Sequence, residues 1–270
     1  MSAPRRLLVV GALGRMGESV RSALEHEPTL ALAAALEAPG HPGVGRTLAE
    51  GVTVQTDAKA ALAGCDVAID FSVPASTLAT LRAAADAGVA YVTGTTGLSP
   101  EDLAELAGLA ERIPILHAPN FSLSVNVLAW LVREAAARLG DGFDAEIVEL
   151  HHAAKRDAPS GTALRLAEAV AAGRGVELAD HLVLERAGEI GARPAGAIGV
   201  QTLRGGDSPG EHSVFFVGGG ERVELVHRSH TRDHFARGAI RAAAWLAGRP
   251  PGRYRVEEVL GGLGHASSPG

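Results

Sequence analysis

The fifteen residues Glu149-Leu150-His151-His152-Ala153-Ala154-Lys155-Arg156-Asp157-Ala158-Pro159-Ser160-Gly161-Thr162-Ala163 are the chain's densest run of reactive groups. Two histidines here can exchange protons near neutral pH. Lys155 adds a mobile positive charge, and only one other lysine, Lys59, stands among the 25 basic residues. A lysine kept in so arginine-rich a chain points to a need for an ammonium group. Ser160, Gly161 and Thr162 open a predicted helix, where unpaired N–H groups and two hydroxyls suit a carboxylate. Metal binding fits poorly, because adjacent side chains on a strand or helix do not share a face and neither cysteines nor clustered carboxylates lie nearby. We therefore expect no metal. A solvated polar loop is the bland alternative, and proton transfer beside an anion site the sharper one.

A second set of groups lies near the start. Val10-Gly11-Ala12-Leu13-Gly14-Arg15-Met16-Gly17 joins a predicted strand to a predicted helix. Glycines there permit a tight turn and close approach of a pyrophosphate to backbone N–H groups. The spacing is G-x-x-G-x-x-G, and a ligand-free turn is the competing reading. Glu37 ends the next predicted strand, where an acid that binds a ribose hydroxyl belongs. Ala38 follows it, so no arginine stands there for a 2′-phosphate. Gly94-Thr95-Thr96-Gly97 and Ala118-Pro119-Asn120-Phe121-Ser122 each follow a predicted strand. Singly each reads as a turn; together, three loops on one sheet edge predict a nicotinamide dinucleotide crevice. His212 and His227 end or begin strands, where structural or solvated histidines are the commoner case.

The elements that must carry these groups follow from apolar periodicity. Leu7 to Val10, Leu30 to Leu36, Val52 to Val54, Val67 to Phe71 and Val89 to Val92 read as strands. They alternate with helices over Glu18 to Glu25, Ser76 to Ala87 and from Ser99-Pro100 onward. That alternation predicts a parallel sheet covered on both faces. Beyond about residue 122 come a helix, Val125 to Leu139, a strand, Phe143 to Leu150, and a helix from Thr162 stopping at Gly173. Three successive strands follow (Ala197 to Leu203, His212 to Val217, Arg222 to Val226), which predicts a mixed or antiparallel sheet in a second domain. The domain of a last helix, Phe235 to Leu246, is open on pattern alone, and the tail from Gly261 to Gly270 reads as loose.

Composition narrows the classes. A hydrophobic share of 46% with 21% charged residues is that of a globular chain, and 270 residues give a prior of about two domains. The net charge of −6 offers no nucleic-acid or polybasic membrane surface. No apolar run approaches the ~20 residues of a membrane span. The single cysteine, Cys65, excludes an intrachain disulfide and fits a reducing compartment, so we expect a cytoplasmic protein.

With these motifs in hand, the chain resembles the 4-hydroxy-tetrahydrodipicolinate reductase (dihydrodipicolinate reductase) family over nearly its whole length. The blocks that carry the resemblance are Val10 to Gly17, Asp70-Phe71-Ser72, Gly94 to Gly97, Ala118 to Ser122, Glu149 to Ala163, Arg204-Gly205-Gly206-Asp207 and Gly238-Ala239. The resemblance implies NAD(P)H-dependent reduction of a cyclic imine dicarboxylate with loss of water, in the diaminopimelate route to lysine. It implies an α/β fold: a Rossmann-type doubly wound domain (1–122 with 232–270), and a smaller α+β domain with a mixed sheet (123–231) that binds substrate and builds a homotetramer. By the same resemblance Gly11, Ala12, Leu13, Gly14, Arg15 and Met16 cradle the pyrophosphate and Glu37 holds the adenosine ribose. Gly94, Thr95, Thr96, Ala118, Pro119, Asn120 and Phe121 would contact the nicotinamide half. His151 is then the proton donor, Lys155 a second donor, and His152, Ser160, Gly161 and Thr162 bind substrate. NADH or NADPH, or both, would serve as cofactor: Ala38 argues against strong NADPH preference, although Arg15 could reach a phosphate. Competing readings are another Rossmann oxidoreductase, such as an amino-acid or semialdehyde dehydrogenase, and a dinucleotide-sensing regulator without catalysis.

Overall fold

In the computed structural model the described residues are 3–261. The end of the first predicted domain, 262–270, and with it all of the tail but Gly261, lies outside them. The chain first lays down β1 (Arg5–Val10), α1 (Arg15–Leu24), β2 (Leu30–Leu36), β3 (Thr47–Ala49), β4 (Val52–Gln55) and α2 (Ala58–Leu62). Then come β5 (Val67–Asp70), α3 (Pro74–Ala87), β6 (Ala90–Thr93), α4 (Pro100–Leu109) and β7 (Pro114–His117). A second series holds α5 (Leu123–Leu139), β8 (Asp144–His151), α6 (Gly161–Arg174), α7 (Leu178–His181), β9 (Leu182–Val183), β10 (Ile198–Arg204), β11 (Glu211–Val217) and β12 (Arg222–Arg228). The chain ends with α8 (Asp233–Leu246), β13 (Gly252–Tyr254) and α9 (Val256–Val259). Among the described residues, 3–123 and 233–261 form one compact unit and Ser124–Arg232 another.

The first unit is an eight-stranded sheet in the order β13-β7-β6-β5-β1-β2-β4-β3, parallel except for the β3–β4 pair. Strand order reverses between β1 and β5, so this pair is the switch point at which an open α/β sheet leaves a crevice beyond its carboxyl edge. Two apolar layers cover the sheet. One packs β-strand residues such as Leu7, Val9 and Ile69 against Ala239, Ala243 and Leu246 of α8. The other packs Leu8, Val10 and Tyr91 against Leu81 of α3 and Leu106 of α4. The helix left open on sequence therefore belongs to the first unit. Ser99 caps α4 in a reciprocal box with Asp102, as its sequence foretells. The short edge strands β3 and β13 carry too little apolar pattern to be read from sequence.

The second unit is a five-stranded mixed sheet, β12-β11-β8-β10-β9, with β8 parallel to β10 and antiparallel to β11. One face is covered by Leu128 and Val132 of α5 and Leu166 and Val170 of α6. Helix α6 does not stop at Gly173, as glycine's poor helix propensity predicts; it runs to Arg174 and ends at Gly175. A side chain at 173 would meet the Arg133 carbonyl and the Ala136 methyl of α5, so this glycine serves close helix packing. Helix α1 likewise begins at Arg15 rather than Glu18, because the chain turns into the helix directly from the glycine loop. Among the described residues no helix is long and apolar enough to cross a membrane.

Candidate active site

Strand β8 alternates Ala145, Ile147, Glu149 and His151 toward the helix-covered face. In register with it, Thr202 of β10 and His212 of β11 stand opposite Glu149, Arg204 stands opposite His151, and His227 of β12 lies opposite His212. One end of the covered face thus carries a glutamate, an arginine and three histidines. Glu149 is wholly buried. Its Oε2 lies 2.5 Å from His151 Nδ1 and accepts from Arg204 Nη1 at 2.8 Å. Its Oε1 accepts from the Ser160 amide at 3.0 Å, Arg204 Nη2 at 2.9 Å and Thr202 Oγ1 at 3.2 Å. His151 meets His212 edge-on, with ring centroids 5.2 Å apart.

Electrostatics follow from these contacts. Burial alone would raise the Glu149 carboxyl, but Arg204, His151 and the Ser160 amide outweigh it and hold it at about 2. Burial lowers His151; Glu149 pulls it back up, while Lys155 and Arg204 push it down, and the net direction is downward. His212 is lowered to about 3, first by burial and then by the histidines on either side. It is therefore neutral at physiological pH, and its Nδ1 has no hydrogen-bond partner among the described residues.

The loop after β8 is pinned back on the sheet. Backbone bonds tie His152 N to Ser208 O and Ala153 N to Gly206 O, and Arg204 Nη2 reaches the Asp157 carbonyl at 2.7 Å. Lys155 is not a loose cation here: its Nζ lies 2.8 Å from both carboxylate oxygens of Asp157. His152 Nε2 stands 3.3 Å from Arg232 Nη2. A cis Ala158–Pro159 bond leads into α6, whose cap is Ser160. The Ser160 hydroxyl, 2% exposed, accepts from Ala163 N at 3.1 Å and lies 3.3 Å from His212 Nε2. Gly161 and Thr162 form the first helical turn beyond it, the end that favours an anion.

In the first unit, the carboxyl ends of β1, β5, β6 and β7 bring together the loops at Gly11, Phe71-Ser72, Gly94 to Gly97 and Ala118 to Phe121. Gly11 has φ +69°, which only glycine adopts cheaply, and a side chain at Gly17 would strike the Gly11 carbonyl. Four loop amides are already engaged: Gly11 and Ala12 donate to Leu36 O, Leu13 to Glu37 Oε2, and Gly14 to Gly11 O. Gly14 is the helix cap and provides no side-chain acceptor. The donors suited to a pyrophosphate are therefore the first-turn amides of α1, from Arg15, Met16 and Gly17. Glu37 is oriented by the Leu13 and Ala38 amides and borders a cavity of about 440 Å³ with Gly11, Thr56, Phe71, Ser72 and Thr80. That is the size of a small-ligand site. These residues fit a dinucleotide.

In the loops expected to meet the nicotinamide, Thr95 turns inward: its Oγ1 accepts from Thr77 Oγ1 at 2.8 Å and its carbonyl lies 3.2 Å from His117 Nε2. Only Thr96 and Gly97 of this loop are exposed. Phe121 is buried, edge-on to Phe71 at 5.7 Å, and Ala118 donates to Thr93 O, so of their loop Pro119 is exposed and Asn120 half-buried. Sequence reasoning gave Glu149 no role and left Arg204 unassigned. The signal for Glu149 was present, because a glutamate two residues from His151 on a strand must share its face.

Comparison with known proteins shows the family. The family described as "Dihydrodipicolinate reductase, N-terminus" matches residues 5–121, and "Dihydrodipicolinate reductase, C-terminus" matches 124–260. A 4-hydroxy-tetrahydrodipicolinate reductase of Anaeromyxobacter dehalogenans (strain 2CP-1 / ATCC BAA-258) is 51% identical over 263 residues, 95% of this chain and 97% of that one. The protein of the same name from Desulfotalea psychrophila is 49% identical, covering 95% and 98%. In fold, the chain superposes on the dipicolinate-bound dihydrodipicolinate reductase of Paenisporosarcina sp. TG-14 with TM-score 0.78 at 24% identity, covering 94% and 98%. An aspartate semialdehyde dehydrogenase II from Vibrio cholerae shares the fold less closely, at TM-score 0.57 and 14% identity over 90% of this chain and 98% of that one. Family matches spanning both units, with half the residues shared across them, settle the kinship: the chain belongs to the dihydrodipicolinate reductase family.

Proposed function

We propose that the protein reduces 4-hydroxy-tetrahydrodipicolinate to tetrahydrodipicolinate with loss of water, using NADH or NADPH, in lysine synthesis through diaminopimelate. The observation that carries this reading is the corner of the second unit where His151, backed by Glu149, lies on the same short stretch as Lys155 and the α6 N-terminus. A conjugated cyclic imine with two carboxylates needs those groups: fixed cations and N–H dipoles for the anions, and a proton source for the ring. Reduced nicotinamide, when bound, supplies the hydride. The amides of Arg15 and Met16 hold the diphosphate, and Glu37 accepts hydrogen bonds from ribose hydroxyls. Lys155 and the first-turn amides at Gly161 and Thr162 neutralise the substrate carboxylates, with His152 alongside. His151 Nε2 gives a proton to the carbanion-like carbon left by hydride addition, and Lys155 is a second donor. A dinucleotide sensor has no use for a histidine backed by an ionised glutamate.

The second unit also supports assembly. The uncovered face of its sheet exposes Leu203, Val217 and Val226. A homotetramer built through this sheet buries that apolar surface. The single cysteine fits the cytoplasm as its place of action. The test is an assay fed with the aldol condensation product that yields the substrate, following loss of NADH and NADPH. We expect turnover with NADH at least as good as with NADPH, because Glu37 repels a 2′-phosphate and Ala38 offers no compensating charge. NADH binding without turnover would overturn the reading in favour of a sensor, and a tenfold NADPH preference would overturn the role given to Glu37.

A further inference from the structure

We propose that Glu149, clamped by Arg204, is a positioning residue that fixes His151 as the Nδ1–H tautomer and so makes Nε2 its proton-exchanging atom. The inference rests on the reading of His151 as the proton donor and adds how that donor is prepared. Four donors converge on the two oxygens of Glu149, namely the Ser160 amide, the Thr202 hydroxyl and two nitrogens of Arg204, and His151 Nδ1 makes a fifth contact. An amide N–H and a guanidinium can only donate. A carboxylate surrounded in this way accepts along every bond, so the short contact to His151 has the ring nitrogen as donor. The tautomer follows from the network rather than from the ring itself. A bidentate guanidinium also holds the carboxylate in one plane, which fixes the ring as well as the proton.

The opposite edge of the ring is kept open. His151 Nε2 faces the backbone of Gly210, where a side-chain carbon would lie only 2.8 Å away. Gly210 has φ +149°, in the range favouring glycine, so the same residue type serves both turn and clearance. Charged and titratable groups around His151 are Glu149 on its own strand, Arg204 on β10, His212 on β11 with His227 behind it on β12, and Lys155 with Asp157 on the loop. Of these, only Glu149 raises the proton affinity of His151 directly; His212 stays neutral, and Lys155 and Arg204 oppose protonation. Glu149 therefore sets both which nitrogen is protonated in the neutral ring and how long the imidazolium persists as pH rises.

The test uses the full-length protein with histidine ¹⁵N labelling, His151 being assigned by the signal lost in His151→Gln. The expected result in the wild type is a neutral imidazole protonated at Nδ1; an Nε2–H tautomer would overturn the proposal without any variant. In Glu149→Gln the amide oxygen keeps the Ser160 amide and Arg204 Nη2, and its NH₂ takes the place of the oxygen facing the ring, which turns His151 to the Nε2–H form. We expect kcat to fall about 10²–10⁴-fold, KM and NADH affinity to hold, and the alkaline limb of the kcat–pH profile to move to lower pH. A folded Glu149→Gln with unchanged kcat and pH limb would also overturn it. Should that variant fail to fold, the wild-type tautomer alone decides. If His151→Gln keeps its kcat, it is the reading of His151 as donor that fails, and the tautomer measurement still stands apart.

Discussion

Lys155 is one of two lysines in a chain with twenty-three arginines, and its place shows why composition alone misjudges it. The ammonium grips both oxygens of Asp157 from a loop that Arg204 also holds. A guanidinium could chelate the same carboxylate, so Lys155→Arg should keep the loop and its positive charge. What arginine cannot do is give up a proton, since its pKa lies far above any working pH. The substitution therefore separates charge from proton transfer. We expect kcat about 10²–10⁴-fold lower with NADH affinity unchanged, because the loops proposed to hold the nucleotide belong to the other unit. Steady-state kinetics beside a fluorescence titration with NADH measure both. Near-normal kcat would reduce Lys155 to an electrostatic anchor and leave His151 as the sole donor.

At the level of elements, what sequence reveals is whatever depends on short-range pattern. Strand β2 is legible to the residue because its apolar run is bounded on both sides, and α4 because its cap and first turn are local chemistry. The strand-end loops are legible for the same reason, each glycine following an apolar strand. Cross-strand register is not, since nothing near Glu149 says that Thr202, 53 residues later, will lie opposite it, with Arg204 opposite His151. Thr95 and Phe121 were expected at the ligand, but their inward turn depends on Thr77 and Phe71, likewise far along the chain. Gly173 is the converse case: a local rule gave a helix end, and tertiary packing overrode it. In isolation Gly173→Ala would stabilise α6 by roughly 1 kcal/mol through propensity. Here the methyl meets a backbone carbonyl that cannot swing away, and overpacking of that kind costs about 1–3 kcal/mol. The clash should win. We expect a lower thermal midpoint for Gly173→Ala with unchanged NADH affinity; an equal or higher midpoint would mean α5 and α6 move apart freely.

For the molecule as a whole, the two units carry different acid liabilities. In the second, His212 titrates at about 3 against an ordinary value near 6.5, and Glu149 at about 2 against about 4.5. A histidine lowered on folding is protonated first in the unfolded chain, so its stability contribution is lost as pH falls from 6.5 and is gone below about 3. A lowered carboxyl loses its contribution over the window from about 4.5 to about 2. Both act in the same direction, and His151 and Glu146 are shifted the same way. At pH 5, His212 alone removes about 2 kcal/mol. In the first unit the buried Asp70 has the opposite sign: its pKa is raised, so it weakens the fold as pH rises and not as it falls. The groups there lowered on folding are half-buried His117, through burial, and the surface carboxyl of Glu105, through its hydrogen bond with Arg82. The second unit should therefore unfold first as pH is lowered. The protein's two tryptophans make this measurable, for Trp130 lies in α5 and Trp245 in α8, one in each unit. Trp245→Phe leaves a reporter of the second unit and Trp130→Phe one of the first. Between pH 6.5 and 3 the Trp130 signal should change before the Trp245 signal. On the proposed placement of the two sites, pyridine-2,6-dicarboxylate should delay only the former and NADH only the latter. His212→Gln should move the Trp130 transition to lower pH, whereas coincident transitions that ignore it would show that some group other than the buried histidine governs acid stability.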